Sequence, residues 1–147
     1  MNIRPRRTED DAVLVDIWER AVRATHHFLT EADILFFRPL VGEYLPALEV
    51  LVAEDDHGTQ RGFIGLDGEK IEMLFVDPVR HGKGMGRQLI DHVARLKGPL
   101  SVDVNEQNSG GLAFYLKCGF SQVGRSELDG TGKAFPLLHM AQMATSS

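Results

Sequence analysis

The chain has 147 residues, of which 43% are hydrophobic and 25% charged, and a formal net charge of −5. This length suits one domain with its own core over residues 1–147. The acidic balance argues against broad nucleic-acid binding and favours a cationic partner such as an amine. No apolar run approaches the ~20 residues of a membrane span, Met1–Arg4 carries no signal-type segment, and a single cysteine rules out an internal disulfide, so a cytoplasmic chain is expected.

In chain order, Ile3 to Pro5 is a short edge-strand candidate. Thr8 followed by Glu9, Asp10 and Asp11 reads as a helix N-cap with first-turn acids. Leu14, Ile17, Trp18, Ala21 and Val22 then recur with helical spacing. Thr25 to Leu29 breaks that pattern, and Thr30 or Glu31 opens a second helix with Ile34, Phe37, Val41, Tyr44 and Leu45 on one stripe. Pro39 is expected to kink or split it. Strands are expected at Val50–Glu54, Gly62–Leu66 and Lys70–Val76, with Asp67–Gly68 as a hairpin turn between the last two. Met85, Leu89, Val93 and Leu96 form a helical stripe that Gly98–Pro99 stops. A strand at Leu100–Val104 and a helix at Ser109–Lys117, capped by Gly119, follow. Strands at Ser121–Leu128 and Phe135–Met140, joined by a Gly-rich loop at 129–133, complete the order β-α-α-β-β-β-α-β-α-β-β. The tail Ala144–Ser147 is expected to be loose.

The stretch around which this order is arranged is Val79-Arg80-His81-Gly82-Lys83-Gly84-Met85-Gly86-Arg87. Glycines at alternate positions let main-chain amides approach an anion, and the following helix start leaves unpaired N–H groups with a partial positive charge. Arg80, Lys83 and Arg87 add full charges, so a phosphate or pyrophosphate is the expected occupant. A dinucleotide fingerprint fails because Arg87 stands where its third glycine belongs. A P-loop fails because Gly84, not Ser or Thr, follows Lys83.

Leu74-Phe75-Val76-Asp77-Pro78-Val79-Arg80-His81-Gly82-Lys83-Gly84-Met85-Gly86 resembles the acetyl-CoA loop of the GNAT superfamily of N-acetyltransferases, an apolar strand and a Pro turn before Arg/Gln-x-x-Gly-x-Gly/Ala. His81 holds the usual Arg or Gln position, with Arg80 one residue early. A second stretch, Asn108-Ser109-Gly110-Gly111-Leu112-Ala113-Phe114-Tyr115-Leu116-Lys117-Cys118-Gly119-Phe120, resembles the later signature of that superfamily, with Gly111 where Ala is more usual. Two such signals about thirty residues apart are more specific than either alone, and the resemblance covers residues 1 to about 141. Ala24-Thr25-His26-His27-Phe28-Leu29 and Val104-Asn105-Glu106-Gln107-Asn108 also resemble a small, single-domain bacterial type.

The resemblance implies a mixed α/β (α+β) fold, with a mainly antiparallel central sheet of six to seven strands and about four helices. The strand ending at Val76 and the strand at 100–104 would splay apart, with the pantetheine arm of acetyl-CoA pairing with residues 74–76. Leu74, Phe75, Val76, His81, Gly82, Lys83, Gly84, Met85, Gly86, Arg87, Asn108, Gly111 and Tyr115 are then the expected acetyl-CoA contacts.

Acetyl transfer from a thioester to an amine needs a neutral amine, a polarised carbonyl and help for the departing thiolate. By spacing alone Tyr115 reads as a packing residue beside Phe114; the resemblance of the flanking stretch makes it the proton donor. Asn108 caps a helix whether or not it also reaches the cofactor. Backbone amides around Leu74 to Val76 are the expected carbonyl polarisers. Glu72, placed by a period of two on the face of Leu74 and Val76, is either the base or a solvated strand residue. His26, His27 and Phe28, between the first two helices, are where acceptors are often gripped in this superfamily; either histidine is also an ordinary loop residue. His81 as a side chain, His139, Cys118 and Trp18 read as structural or peripheral. No Cys/His spacing supports a metal. The expected activity is acetylation of a primary amine (a small amine, a peptide or a protein lysine or N-terminus) by direct attack on acetyl-CoA. The alternative is a non-catalytic acyl-CoA-binding or sensing module. Partners other than acetyl-CoA and the acceptor are not expected, neither nucleic acid nor membrane, and the chain is a monomer or homodimer.

Overall fold

The computed structural model describes residues 1–143; the expectation for the tail falls outside them. Seven strands form a single sheet: β1 (Asn2–Pro5), β2 (Glu49–Glu54), β3 (Gln60–Asp67), β4 (Lys70–Val76), β5 (Ser101–Asn105), β6 (Phe120–Ser126) and β7 (Leu137–Gln142). Their spatial order is β1-β2-β3-β4-β5-β7-β6. All neighbours are antiparallel except β4 and β5. The helices are α1 (Asp11–Thr25), α2 (Glu31–Tyr44), α3 (Met85–Lys97) and α4 (Ser109–Lys117).

Helices α1, α2 and α3 bury apolar residues against the faces of the sheet, and α4 packs with half-buried side chains only. Leu14, Ile17 and Trp18 of α1 and Val41 of α2 pack with Val52, Phe63 and Met73 on one side. Leu89, Ile90 and Val93 of α3 pack with Ile71, Val102, Val104 and Phe120 on the other. The α3 stripe departs from its expected members: Ile90 is buried, whereas Leu96 is 72% exposed. The helix meets the sheet along its first three turns, and Leu96 lies in the last. Tyr44, also expected on a buried stripe, is exposed at the end of α2.

Local chemistry sets the helix ends. Thr30 Oγ1 accepts from the Asp33 amide at 3.1 Å and Asp33 Oδ2 accepts from the Thr30 amide at 3.0 Å. This reciprocal cap is worth about 1 kcal/mol and fixes where α2 begins. Helix α2 runs unbroken through Pro39, contrary to the expected split. Pro39 and Leu35, the residue whose carbonyl loses its helical partner, are both exposed, so solvent can take up the freed group. Thr8 opens a single 3₁₀ turn at Thr8–Asp10, and α1 begins after it. The reason is that Asp10 is drawn into the sheet edge. Its carboxylate receives both Arg4 Nη1 and Nη2, at 2.8 and 2.9 Å, as well as Gln60 Nε2 and the Arg7 amide.

That carboxylate is buried, and the Arg4 guanidinium holds its pKa well below the usual range. Its contribution is therefore present above the unfolded-state pKa and is lost as pH falls through the folded one. Asp10→Ala leaves the enclosed Arg4 guanidinium with Glu54 as its remaining partner, at 3.0 Å, and takes the acceptor from Gln60 Nε2 and the Arg7 amide; an equilibrium urea titration is expected to show a loss of about 3 kcal/mol at neutral pH.

Candidate active site

The site begins where the sheet fails to close. β4 and β5 pair only at Lys70↔Ser101 and Ile71↔Val102; beyond these residues they diverge. The Asp77 amide bonds to the Arg61 carbonyl of the strand on the other side at 2.7 Å. By the alternation of strand backbone groups, Leu74 and Val76 therefore aim theirs into the gap. A cleft of about 910 Å³ fills the opening.

One end of the cleft is the glycine loop. Gly82 and Gly84 have φ of 76° and 78°, which only glycine adopts without strain, and Gly84 caps the start of α3. The amides of Gly82, Gly84, Met85, Gly86 and Arg87 find no acceptor among the described residues. Gly86 has a different reason to be glycine, because a Cβ there would lie 3.1 Å from Phe114 Cζ. The loop is anchored from below by carboxylates that the sequence did not single out. Asp77 accepts from Arg20 Nη2 at 2.9 Å and from the Val79 amide at 3.3 Å, while Asp55 receives Arg61 at 3.1 Å and Arg80 at 3.2 Å. Arg80 is thus partly neutralised, and the local positive charge rests more on Arg87, whose nearest carboxylate is Asp91 at 4.0 Å. His81 turns back and donates from Nε2 to the Val76 carbonyl at 2.8 Å, closing the end of the open strand edge.

The other end is built by α4. Asn108 Oδ1 accepts the Gly111 amide at 3.0 Å, capping the helix. Its Nδ2 lies 3.3 Å from His26 Nε2, while His26 Nδ1 lies 2.8 Å from Thr25 Oγ1, which itself donates to the Ala21 carbonyl at 2.8 Å. With the Thr25 proton committed, His26 is assigned protonated at Nδ1 and accepts at Nε2. This chain ties the end of α1 to the start of α4 across the cleft. A Cβ on residue 111 would come within 2.4 Å of Asn108 Nδ2, so Gly111 is what lets Asn108 reach both partners. Burial, and secondarily His27, lowers the His26 pKa to about 4.

Tyr115 is half-buried, edge-on to Phe114 and Phe120 at centroid distances of 5.2 and 5.3 Å. Its hydroxyl has no hydrogen-bond partner among the described residues, and the ring lines the cleft. Burial pushes its pKa well above the usual phenol value, so it stays protonated throughout the neutral range. Burial likewise raises Cys118, a half-buried thiol one helical turn away.

Glu72 is placed differently from the expected alternation. Leu66 pairs with Ile71 and Gly65 with Met73, which leaves Glu72 as the extra residue of a β-bulge. Ile71, Leu74 and Val76 pack on the α3 side while Met73 and Phe75 pack on the α1 side. The bulge instead sets Glu72 3.5 Å from Lys70 Nζ, which lies 2.9 Å from Asp103 Oδ2. Asp103 in turn accepts from His139 Nδ1 at 2.6 Å, and His139 Nε2 accepts from Ser126 Oγ at 2.6 Å. The Lys70 and His139 partners hold the Asp103 carboxyl below its usual pKa despite burial. Neither Ser126 nor His139 lines the cleft, so this chain supports the Lys70–Glu72 pair from outside it.

The cleft wall brings together Glu72, Leu74, Phe75, Val76, His81, Gly82, Gly84, Met85, Gly86, Arg87, Asn108, Gly111 and Tyr115, together with His26, His27 and Phe28. Lys83 is the exception: it does not line the cleft, and its amide turns back to the Arg80 carbonyl at 3.3 Å. Thr25, Asp103 and Asn105 also line it or support it without having been expected; each is an ordinary loop or strand residue until the tertiary fold brings it there. No group of metal-binding side chains occurs among the described residues, and no described helix is long and apolar enough to cross a membrane.

Fold and cleft together define a transferase of the acetyl-CoA-using class. The chain belongs to the GNAT family of acetyltransferases: the profile of the Acetyltransferase (GNAT) domain matches residues 46–122. The peptidyl-lysine N-acetyltransferase YjaB of Salmonella typhimurium is 42% identical over 140 residues, covering 95% of this chain and 97% of that one. The solution structure of apo YjaB from Escherichia coli superposes with a TM-score of 0.90 at 40% identity, covering 98% of both chains. A GCN5-related N-acetyltransferase of Rhodopseudomonas palustris gives a TM-score of 0.80 at 25% identity, over 96% of this chain and 94% of that one. The chain is accordingly an enzyme that moves the acetyl group of acetyl-CoA, its donor substrate, to a primary amine, and the reading as a non-catalytic binding module gives way.

Two outcomes test the geometry. Gly84→Val forces a β-branched residue to a φ of 78° and turns the loop amides; isothermal titration is expected to show CoA affinity at least about 10-fold weaker. His26 has a folded pKa of about 4 against an ordinary 6.5, so between those values the unfolded chain holds more protons and stability falls as pH drops. Comparing urea midpoints at pH 7 and pH 5, His26→Gln is expected to remove about 2 kcal/mol of that decline.

Proposed function

We propose that this protein is a peptidyl-lysine acetyltransferase working by direct attack, with Tyr115 and Glu72 as its catalytic residues. The observation that carries the reading is the position of Glu72: among the described residues it is the one carboxylate that lines both the cleft and a second cavity beside it, where an acceptor in one would reach a donor in the other. The names of the YjaB relatives, peptidyl-lysine N-acetyltransferases at about 40% identity over nearly the whole chain, support a lysine as acceptor.

In this reading the unpaired amides from Gly82 to Arg87 hold the diphosphate of the donor, helped by Arg87, and Asn108 and Gly111 flank its path. The backbone of Leu74 and Val76 pairs with the pantetheine amides, in place of the strand that β5 does not supply. Amides of this edge polarise the thioester carbonyl. The acceptor ε-amine arrives charged, with a pKa of ~10.4 in water. Glu72 takes its proton, directly or through water, and the neutral nitrogen attacks the carbonyl carbon. The new C–N bond forms as the C–S bond breaks; the nitrogen gives up its second proton to water, and negative charge develops on sulfur with the C–S electron pair until the sulfur takes up a proton and leaves as the CoA thiol. Tyr115, kept protonated by its burial, donates a hydrogen bond to that sulfur as the charge develops. His26, His27 and Phe28 border the acceptor's route, and His26, neutral at physiological pH, brings no charge against an incoming cation. A single domain carries all of these steps, and the chain works in the cytoplasm as a monomer or homodimer on acetyl-CoA and its amine acceptor.

The direct test is acetylation of lysine peptides, free N-terminal amines and polyamines by the purified protein, read by mass spectrometry; lysine peptides are expected to lead. Tyr115→Phe is expected to lower turnover at least about 10-fold with CoA affinity little changed. Glu72→Gln is expected to lower kcat/KM about 10- to 100-fold at neutral pH, with recovery as pH rises toward the lysine pKa.

A further inference from the structure

Beside the cleft, between α1, α2 and the 129–137 segment that joins β6 to β7, lies a second cavity of about 240 Å³. It opens onto the cleft, because His26, Phe28, Glu72, Met73, Phe75 and Asn105 line both. Its wall is dominated by large apolar side chains. Phe135 stands at the centre, 6.0 Å from the Phe28 ring and 6.3 Å from that of Phe37. The carboxylates on its wall are Glu72 and Asp129, and no Lys or Arg lines it.

The apolar surface continues outward. Phe36, Leu40 and Tyr44 recur every four residues along α2 and so form one ridge. Leu40 and Tyr44 line the cavity, while Phe36 and Tyr44 remain 43% and 51% exposed. The facing segment is held to this ridge by Lys133, whose Nζ lies 4.4 Å from the Phe36 ring centre and 3.9 Å from Asp33 Oδ1. The mouth is thus an exposed apolar lip with a fixed opposite wall, continuous with the chamber where the acetyl group is delivered.

Size and polarity decide what enters. The volume lies below the roughly 300–1,000 Å³ of sites that enclose a whole drug-sized ligand; it suits one side chain. A polyamine brings only short methylene stems between charged nitrogens, and its second ammonium would lose water against phenyl rings. A peptide brings its own apolar group. In an extended segment successive side chains point to opposite faces at about 3.3 Å per residue, so a lysine directed to Glu72 carries neighbours that sweep past the lip.

We propose that this cavity receives a large apolar side chain close in sequence to the acceptor lysine, so that the enzyme selects lysines flanked by Leu, Met or Phe. This rests on the lysine reading of the same site given above. Burying such a side chain rather than leaving it in water corresponds to a preference of about 10- to 100-fold in kcat/KM.

The test uses the full chain with acetyl-CoA and single-lysine peptides in which one position at a time, from two residues before the lysine to two after, is Ala, Leu, Phe or Glu. At least one position is expected to show a 10-fold or greater rise in kcat/KM for Leu or Phe over Ala, and a fall for Glu. Phe135→Ala and, at an exposed position where folding is not at stake, Tyr44→Ser are each expected to shrink the Leu-to-Ala ratio several-fold. Rates equal within about 2-fold at all positions, or a ratio that neither variant changes, would overturn the inference while leaving lysine acetylation standing. Turnover of small amines with no peptide accepted would overturn the lysine reading, and this inference with it.

Discussion

A strand edge with no partner is the constraint from which the rest follows. Backbone N–H and C=O groups left unpaired away from bulk water are costly, and β4 leaves such groups at Leu74 and Val76 once β5 turns away after Ile71↔Val102. The protein satisfies one of them itself, through the His81 imidazole on the Val76 carbonyl. The others face a cleft whose proposed occupant, an extended amide-bearing arm, offers complementary groups. The gap stays open because each strand is secured on its far side, β4 to β3 and β5 to β7, and because α3 and α4 pack beneath it.

Electrostatics divide the work between holding and binding. In the proposed reading an acidic chain receives an anionic substrate by lending it backbone amides and one arginine rather than a broad basic surface. The arginines with close carboxylate partners, Arg20, Arg61 and Arg80 on Asp55 and Asp77, fasten the loop to α1 and β3. The Ser126–His139–Asp103–Lys70 chain, running from outside the cleft to its wall, positions Glu72. The Thr25–His26–Asn108 chain fixes the roof. Both are networks in which every member has a partner, the condition under which buried polar groups add order rather than strain.

Much of this was legible in the residues. Glycines before a helical stripe marked the loop that opens α3, because a positive φ and a helix start are local backbone rules, and the resemblance of Asn108 to Phe120 marked the wall that α4 builds. The helix stripes of α1 and α3 were legible for the same reason, up to Leu96, whose exposure depends on where the sheet ends. Other features are set by tertiary contact. The bulge at Glu72 is a mismatch between two strands and leaves no mark in either one. Lys83 reads like an anion ligand, yet the turn directs its amide back to Arg80. The second cavity is assembled from α1, α2, β4 and the β6–β7 segment, and neither α2 nor the β6–β7 segment carries a motif, so Phe37 and Phe135 are ordinary aromatics until the fold brings them together.

The central claim is that exposed main-chain amides, rather than side-chain charge, fasten the donor at the gap. It is tested most directly by titrating CoA into the ¹⁵N-labelled protein and following amide resonances. Saturable shifts at Gly82, Gly84, Met85, Gly86 and Arg87, and along β4 at Leu74 and Val76, are the expected result. Resonances that stay in place there while CoA binds elsewhere would contradict it.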